Sequence, residues 1–222
     1  MGDKNKNPYH CFPFEQEDDG RQFSPSSQRN GPHILTVLKK HFPASGTVLE
    51  IAAGTGQHAV MFAPEFPNLT WLPSDPAADK RKSIGAWMKI KPSENLLPPV
   101  ALDAAATKWP VENMKLEPPV RAIICVNMIH VAPWRAGQGL LAAAGRILPK
   151  GGILYLYGAY KVDGEYTAPS NKDFDETLRK TDPEWGLREL REVEREAEKN
   201  RLFLKDVVDM PANNLSVVFQ KI

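Results

Sequence analysis

After about residue 30 the chain alternates short, continuous apolar runs with longer stretches whose apolar positions recur every three or four residues. The short runs fall at 47–52, 69–73, 96–102, 121–127 and 153–158. Runs of this length, bounded by polar or turn residues, predict strands buried on both faces. The clearest is Arg121-Ala122-Ile123-Ile124-Cys125-Val126-Asn127. Helices are predicted between them at 57–63, 77–88 and 134–148, with an earlier one over 32–41 whose first turn takes Pro32. Asp182-Pro183 has the signature of a helix cap followed by a first helical residue, and Leu187, Leu190, Val193 and Ala197 supply that helix with an apolar face. Two closing runs, 202–208 and 215–220, are joined by too few residues for a helical crossover, so they pair antiparallel. The sum is an α/β chain with a doubly wound, seven-stranded, mostly parallel sheet and an antiparallel C-terminal hairpin. It forms one domain over 26–222, preceded by a polar arm over 1–25 that is expected to be flexible. Ligands are expected at the carboxyl ends of the 47–52 and 121–127 strands.

Composition narrows the function classes. The 222 residues are 42% hydrophobic and 25% charged, with a net charge of +1. That balance gives no bulk electrostatic attraction to nucleic acid or to a membrane surface. The one dense charge run, 188–199, alternates in sign as a solvated helix face does. Cys11 and Cys125 make no disulfide or metal framework, and the histidines are too dispersed for a metal site. There is no membrane-length apolar run, no signal-peptide core and no myristoylation pattern, so a cytoplasmic protein is expected.

The chemistry concentrates in Val48-Leu49-Glu50-Ile51-Ala52-Ala53-Gly54-Thr55-Gly56-Gln57-His58. A strand that ends in closely spaced glycines lets the backbone approach a ligand, and the following helix begins with free N–H groups. Asp75 lies 21 positions beyond Gly54, at the end of the next strand, where a carboxylate accepts from ribose hydroxyls. A plain tight turn, with Asp75 as a cap beside Pro76, is the structural alternative. The full dinucleotide fingerprint wants a third glycine, and Ala59 stands there. Glu50 inside the strand, and Asp103 where an adenine amino group would lie, favour S-adenosylmethionine over a nicotinamide cofactor.

Glu50-x-Ala52-x-Gly54-x-Gly56 resembles motif I of class I S-adenosylmethionine-dependent methyltransferases, with Ala52 where the first glycine is common. More narrowly the chain resembles the methyltransferase-like 26 family, over Arg29-Asn30, LEIAAGTGQHA, LTWLPSDP, NMIHVAPW, the long stretch from LYGAYKVDG to WGLREL, and MPANNLS. The resemblance implies a Rossmann-like methyltransferase fold that binds S-adenosylmethionine and yields S-adenosylhomocysteine. It implies that Glu50 and the backbone of Ala52, Gly54 and Gly56 hold the methionine end. Asp75 takes the ribose, and Asp103 with Ala104 lies by the adenine. Asn127 and Met128 close the other side, and Arg29 and Asn30 cover the cofactor from the N-terminal arm.

The acceptor side is less defined. His130 is the candidate general base because it titrates near neutrality; a histidine bonded to backbone is the alternative. Tyr157 and Tyr160 are candidates to aim hydroxyls at a small polar substrate, or to pack on the sheet. Trp134 is either a pocket wall or a core residue. Residues 163–182 are expected to be a long loop over the ligand face, carrying Asn171 and Arg179 as candidate substrate contacts. Arg188 is a further candidate anion ligand, and Asn213 and Asn214 are candidates at the pocket rim. The expected partner is a small molecule, with no nucleic acid and no membrane. A cofactor-binding protein without catalysis is the other class of function that fits.

Overall fold

The structure is a computed structural model that describes residues 14–222; Cys11 and most of the expected flexible arm lie outside these residues. The main sheet comprises β1 (Gly46–Ile51), β2 (Leu69–Pro73), β3 (Val120–Val126), β4 (Ile153–Gly158), β5 (Leu202–Met210) and β6 (Asn214–Lys221). Their order across the sheet is β5-β6-β4-β3-β1-β2. The β4, β3, β1 and β2 pairings are parallel, and β6 runs antiparallel to both neighbours. The seventh run, 96–102, lies beside β2 but pairs only through isolated parallel bridges, Trp71 with Leu96 and Ser74 with Val100. Pro98 and Pro99 explain the gap, because neither has an N–H for the ladder.

Strands β1 and β4 are buried along their whole length, and this is why they carry continuous apolar runs. One face of the sheet packs on α1 (Pro25–His41), α2 (Gln57–Phe62) and α3 (Ala78–Ile90), with Ile34, Leu38, Phe62, Trp71 and Trp87 at that core. The other face packs on α4 (Trp134–Ile147) and α6 (Leu190–Lys199), around Leu140, Leu141, Val193 and Ala197.

Three helix expectations need correction. The first helix begins at Pro25 rather than at 32, with Pro25 in its first turn and Pro32 inside it. Residues 163–182 are not a long loop: a β-hairpin (160–166) leads into α5 (Pro169–Thr181). The buried positions of α5 are Asn171, Asp175 and Leu178, so its inner face is largely polar and lacks an apolar stripe. The final helix begins at Leu190, not at 183. Backbone groups upstream are held by other partners: Gly186 N–H donates to the His130 carbonyl at 3.0 Å, and Leu187 N–H to Asp175 Oδ1 at 2.6 Å.

Candidate functional site

At the end of β1 the chain passes through left-handed backbone at Ala52, Gly54 and Gly56, with φ of +52°, +57° and +89°. Gly56 is doubly constrained, since a Cβ there would stand 2.8 Å from the Ile84 Cα on α3. Ala52 holds its left-handed conformation with a side chain, at a cost of roughly 1–2 kcal/mol. Asp75 braces the turn. Its Oδ2 accepts from Gly54 N–H at 3.0 Å, and its Oδ1 accepts from Ala77 N–H at 2.9 Å, just ahead of α3. Each oxygen keeps a lone pair for a ligand hydroxyl.

A chamber of about 150 Å³ opens over this turn, lined by Glu50, Ala52, Gly54, Asp75, Asn127 and Met128 among the expected residues. Glu50 is buried and accepts from Trp71 Nε1 at 2.7 Å. Burial pushes its carboxyl up to about 7, and the nearby Asp75 adds to the rise. Burial also raises Asp75, to about 6, against the pull of the Ala77 and Gly54 amides and Lys80. Two carboxylates held at a desolvation cost in one chamber fit a ligand that brings positive charge and hydroxyls. An adenosyl sulfonium with an α-ammonium has that chemistry.

Phe14, Ser24, Ser26, Ser27 and Lys80 complete the lining of this chamber. Residues 15–23 form a short antiparallel strand pair that is tied to α3. Gln22 is the clasp: its N–H donates to Ser83 Oγ at 2.8 Å, its carbonyl accepts from Trp87 Nε1 at 2.8 Å, and its side chain bonds Lys80 and Asp79. Lys80 Nζ also sits 3.5 Å from the centroid of the Phe14 ring. Only Lys80 had a sequence signal, as a cation one turn into the helix that follows Asp75.

A second chamber, about 780 Å³, adjoins the first and shares Ser26 and Asn127 with it. Arg29, Asn30, Tyr157, Asn171, Asn213 and Asn214 from the expected set line it, with His33 and Ser170. Arg29 and Asn30 therefore face this chamber rather than the turn. His58 connects the two. Burial holds its imidazole neutral, down to about 4, although a bond to the Ser27 backbone works the other way. His58 Nε2 lies 2.8 Å from Asn30 Oδ1, and the Asn30 side chain also bonds the Tyr157 hydroxyl.

Several expected residues reach neither chamber. His130 is fully buried behind Gly158, both ring nitrogens lack partners, and burial with the Arg188 charge pushes it down to about 3. That position does not fit a base acting on a bound acceptor. Tyr160 is fully buried against the His130 ring edge. Trp134 packs over Gly137 of its own helix and beneath Arg188. Arg179 donates to Asp175 at 3.0 Å, and Arg188 to the carbonyls of Ile129 and Ala132 at 2.9 and 2.8 Å. Both guanidiniums are thus engaged within the fold. Asp103 is exposed and accepts from Ala105 N–H at 2.9 Å. Ala104 is buried, its carbonyl lying under Gly139. Gly56 acts through packing on Ile84 rather than as a lining residue.

The strand order, the left-handed turn and the acidic ends of β1 and β2 define the Rossmann-like fold of S-adenosylmethionine-dependent methyltransferases, and solved structures of that class superpose on it. An O-methyltransferase family protein from Burkholderia thailandensis matches with a TM-score of 0.72 and 14% identity, over 88% of this chain and 56% of that one. Human N-acetylserotonin methyltransferase, solved with S-adenosylmethionine, gives 0.70 and 12%, over 88% and 52%. CalO1, a methyltransferase of calicheamicin biosynthesis in its S-adenosylhomocysteine-bound form, gives 0.66 and 19%, over 86% and 54%. The chain spans about half the length of these proteins. By sequence it belongs to the family described as protein of unknown function (DUF938), whose profile matches residues 21–221. Among the described residues no helix is long and apolar enough to cross a membrane, and no cluster of metal-ligating side chains is found.

Proposed function

We propose that the protein is a methyltransferase that uses S-adenosylmethionine and acts on a small molecule held in the second chamber. The observation that carries this reading is the convergence of Glu50, Asp75 and the left-handed turn on a chamber that shares Asn127 with a larger polar one. The resemblance of its motifs to the methyltransferase-like 26 family supports it. S-adenosylmethionine, when bound, supplies a methyl group on a positively charged sulfur, so the protein's task is placement. Asp75 accepts the ribose hydroxyls on its free lone pairs. Glu50 faces the positive charge of the methionine end. Asn127, in left-handed backbone at φ +62°, stands at the junction of the two chambers and orients what meets there.

Calorimetry with S-adenosylhomocysteine tests this directly. Wild-type protein binds it, and Asp75→Asn weakens binding about tenfold or more, the scale of hydrogen bonds to a charged group. Asparagine is the informative variant because it keeps the size of the side chain and an acceptor for one of the Gly54 and Ala77 amides. No binding by wild-type protein rejects the function, and equal binding by the variant removes Asp75 from the ribose role.

A further inference from the structure

The larger chamber has a chemical bias of its own. Ser26, Arg29, Asn30 and His33 recur at helical spacing, so one face of α1 forms a wall. Opposite stand the start of α5 and the 211–214 turn, with Tyr157 on the strand side. No aspartate or glutamate lines the cavity. Arg29 is exposed into it, and among the described residues no carboxylate pairs with that guanidinium.

The remaining polar groups are neutral and fixed. Burial raises the Tyr157 hydroxyl above its ordinary range, so the phenol stays protonated. Asn171, only 4% exposed, donates to the Asn213 carbonyl at 2.9 Å and to Thr167 Oγ1 at 2.7 Å. That pins the 211–214 turn, where Ala212 and Asn213 sit in left-handed backbone at φ +58° and +57°.

We infer that the second chamber binds a small organic anion, with its carboxylate or phosphate gripped by Arg29 and its body oriented by the asparagine amides. The inference rests on the methyltransferase reading only in naming this anion as the methyl acceptor. A planar guanidinium with unpaired donors matches an oxyanion in two-point contact. A cationic acceptor meets the reverse: Arg29 repels it and no lining carboxylate offsets its desolvation.

The test uses benzoate, phenyl phosphate and benzamide as probes, titrated against protein saturated with S-adenosylhomocysteine and followed by ligand-observed NMR. At least one of the two anions binds about tenfold more tightly than benzamide. Arg29→Gln removes that advantage while leaving S-adenosylhomocysteine affinity unchanged, and Arg29→Lys retains part of it. Which anion binds better identifies the oxyanion. Equal binding of benzamide, no binding of either anion, or undiminished anion binding by Arg29→Gln overturns the inference. So does a loss of S-adenosylhomocysteine affinity in Arg29→Gln, which returns Arg29 to the cofactor. If wild-type protein does not bind S-adenosylhomocysteine, the methyltransferase reading fails separately. The same probes on the cofactor-free protein then decide the anion site.

Discussion

On the proposed function, Glu50 and Asp75 make cofactor binding a proton-linked event. In the cofactor-free protein burial raises them to about 7 and about 6, so near pH 6.5 a good part of the pair is protonated. A cationic ligand favours the charged carboxylates and expels those protons. Affinity for S-adenosylmethionine should therefore rise as pH rises through about 6 to 7, level off above, and fall on acidification by up to about tenfold per unit for each group. Calorimetry at pH 6.5 in buffers of different ionisation enthalpy should register proton release. Identical heats across buffers, with an affinity flat from pH 5.5 to 8, would remove Glu50 from the cofactor's charged end. At this scale the sequence was legible where spacing carried the signal. Glu50 and Asp75 follow from strand ends, and Ala52 stands at a position whose left-handed backbone explains why glycine is common there. His130 was misjudged because titration near neutrality belongs to an exposed imidazole, and only the fold shows that the ring is buried.

The strand pair over 15–23 is tied to α3 and, through Gln22, to Lys80, which with Phe14 walls the turn chamber. That chamber holds about 150 Å³, below the roughly 300 Å³ at which small-molecule pockets begin. On the proposed function, the wall of Phe14 and Lys80 is expected to give way for a whole cofactor to settle. Gln22→Ala removes its side-chain bonds to Lys80 and Asp79, at about 1 kcal/mol each. The expected result in stopped-flow binding is association faster by roughly fivefold or more, with little change in fold; an unchanged rate would mean that the gate lies elsewhere. The strand pair was illegible because residues 15–23 are largely polar and carry no periodicity, and their order comes from long-range bonds to Ser83 and Trp87. Helix α5 escaped for a related reason, since Asn171 and Asp175 on its inner face are held by hydrogen bonds, to Asn213 and to Tyr166 and Arg179 respectively, rather than by apolar packing. The sheet strands, by contrast, are read from apolar runs that nothing but double-sided burial requires.

For the whole molecule the proposed cofactor would also be a stabiliser, because the chamber draws on β1, β3, α1, α2 and α3 together. Ligand at a hundredfold excess over its dissociation constant adds about 2.7 kcal/mol to unfolding. For a chain of this size that is a rise in Tm of roughly 5–10 °C, readable by differential scanning fluorimetry. A shift under about 1 °C at saturation would mean that the ligand does not reach the folded chamber. The strand order has a further consequence, for how the chain is made. β6 sits between β4 and β5, yet it follows every other strand in sequence. While a ribosome is still adding the residues before Asn214, the inner strand β4 has one edge with no partner and apolar side chains on both faces, Leu154 and Leu156 on one and Tyr155 on the other. An open apolar edge of that kind invites pairing with another chain. Each nascent molecule therefore passes through an interval of exposure that closes only when 214–221 slots into place, so the speed of that last insertion governs how much protein reaches its native form.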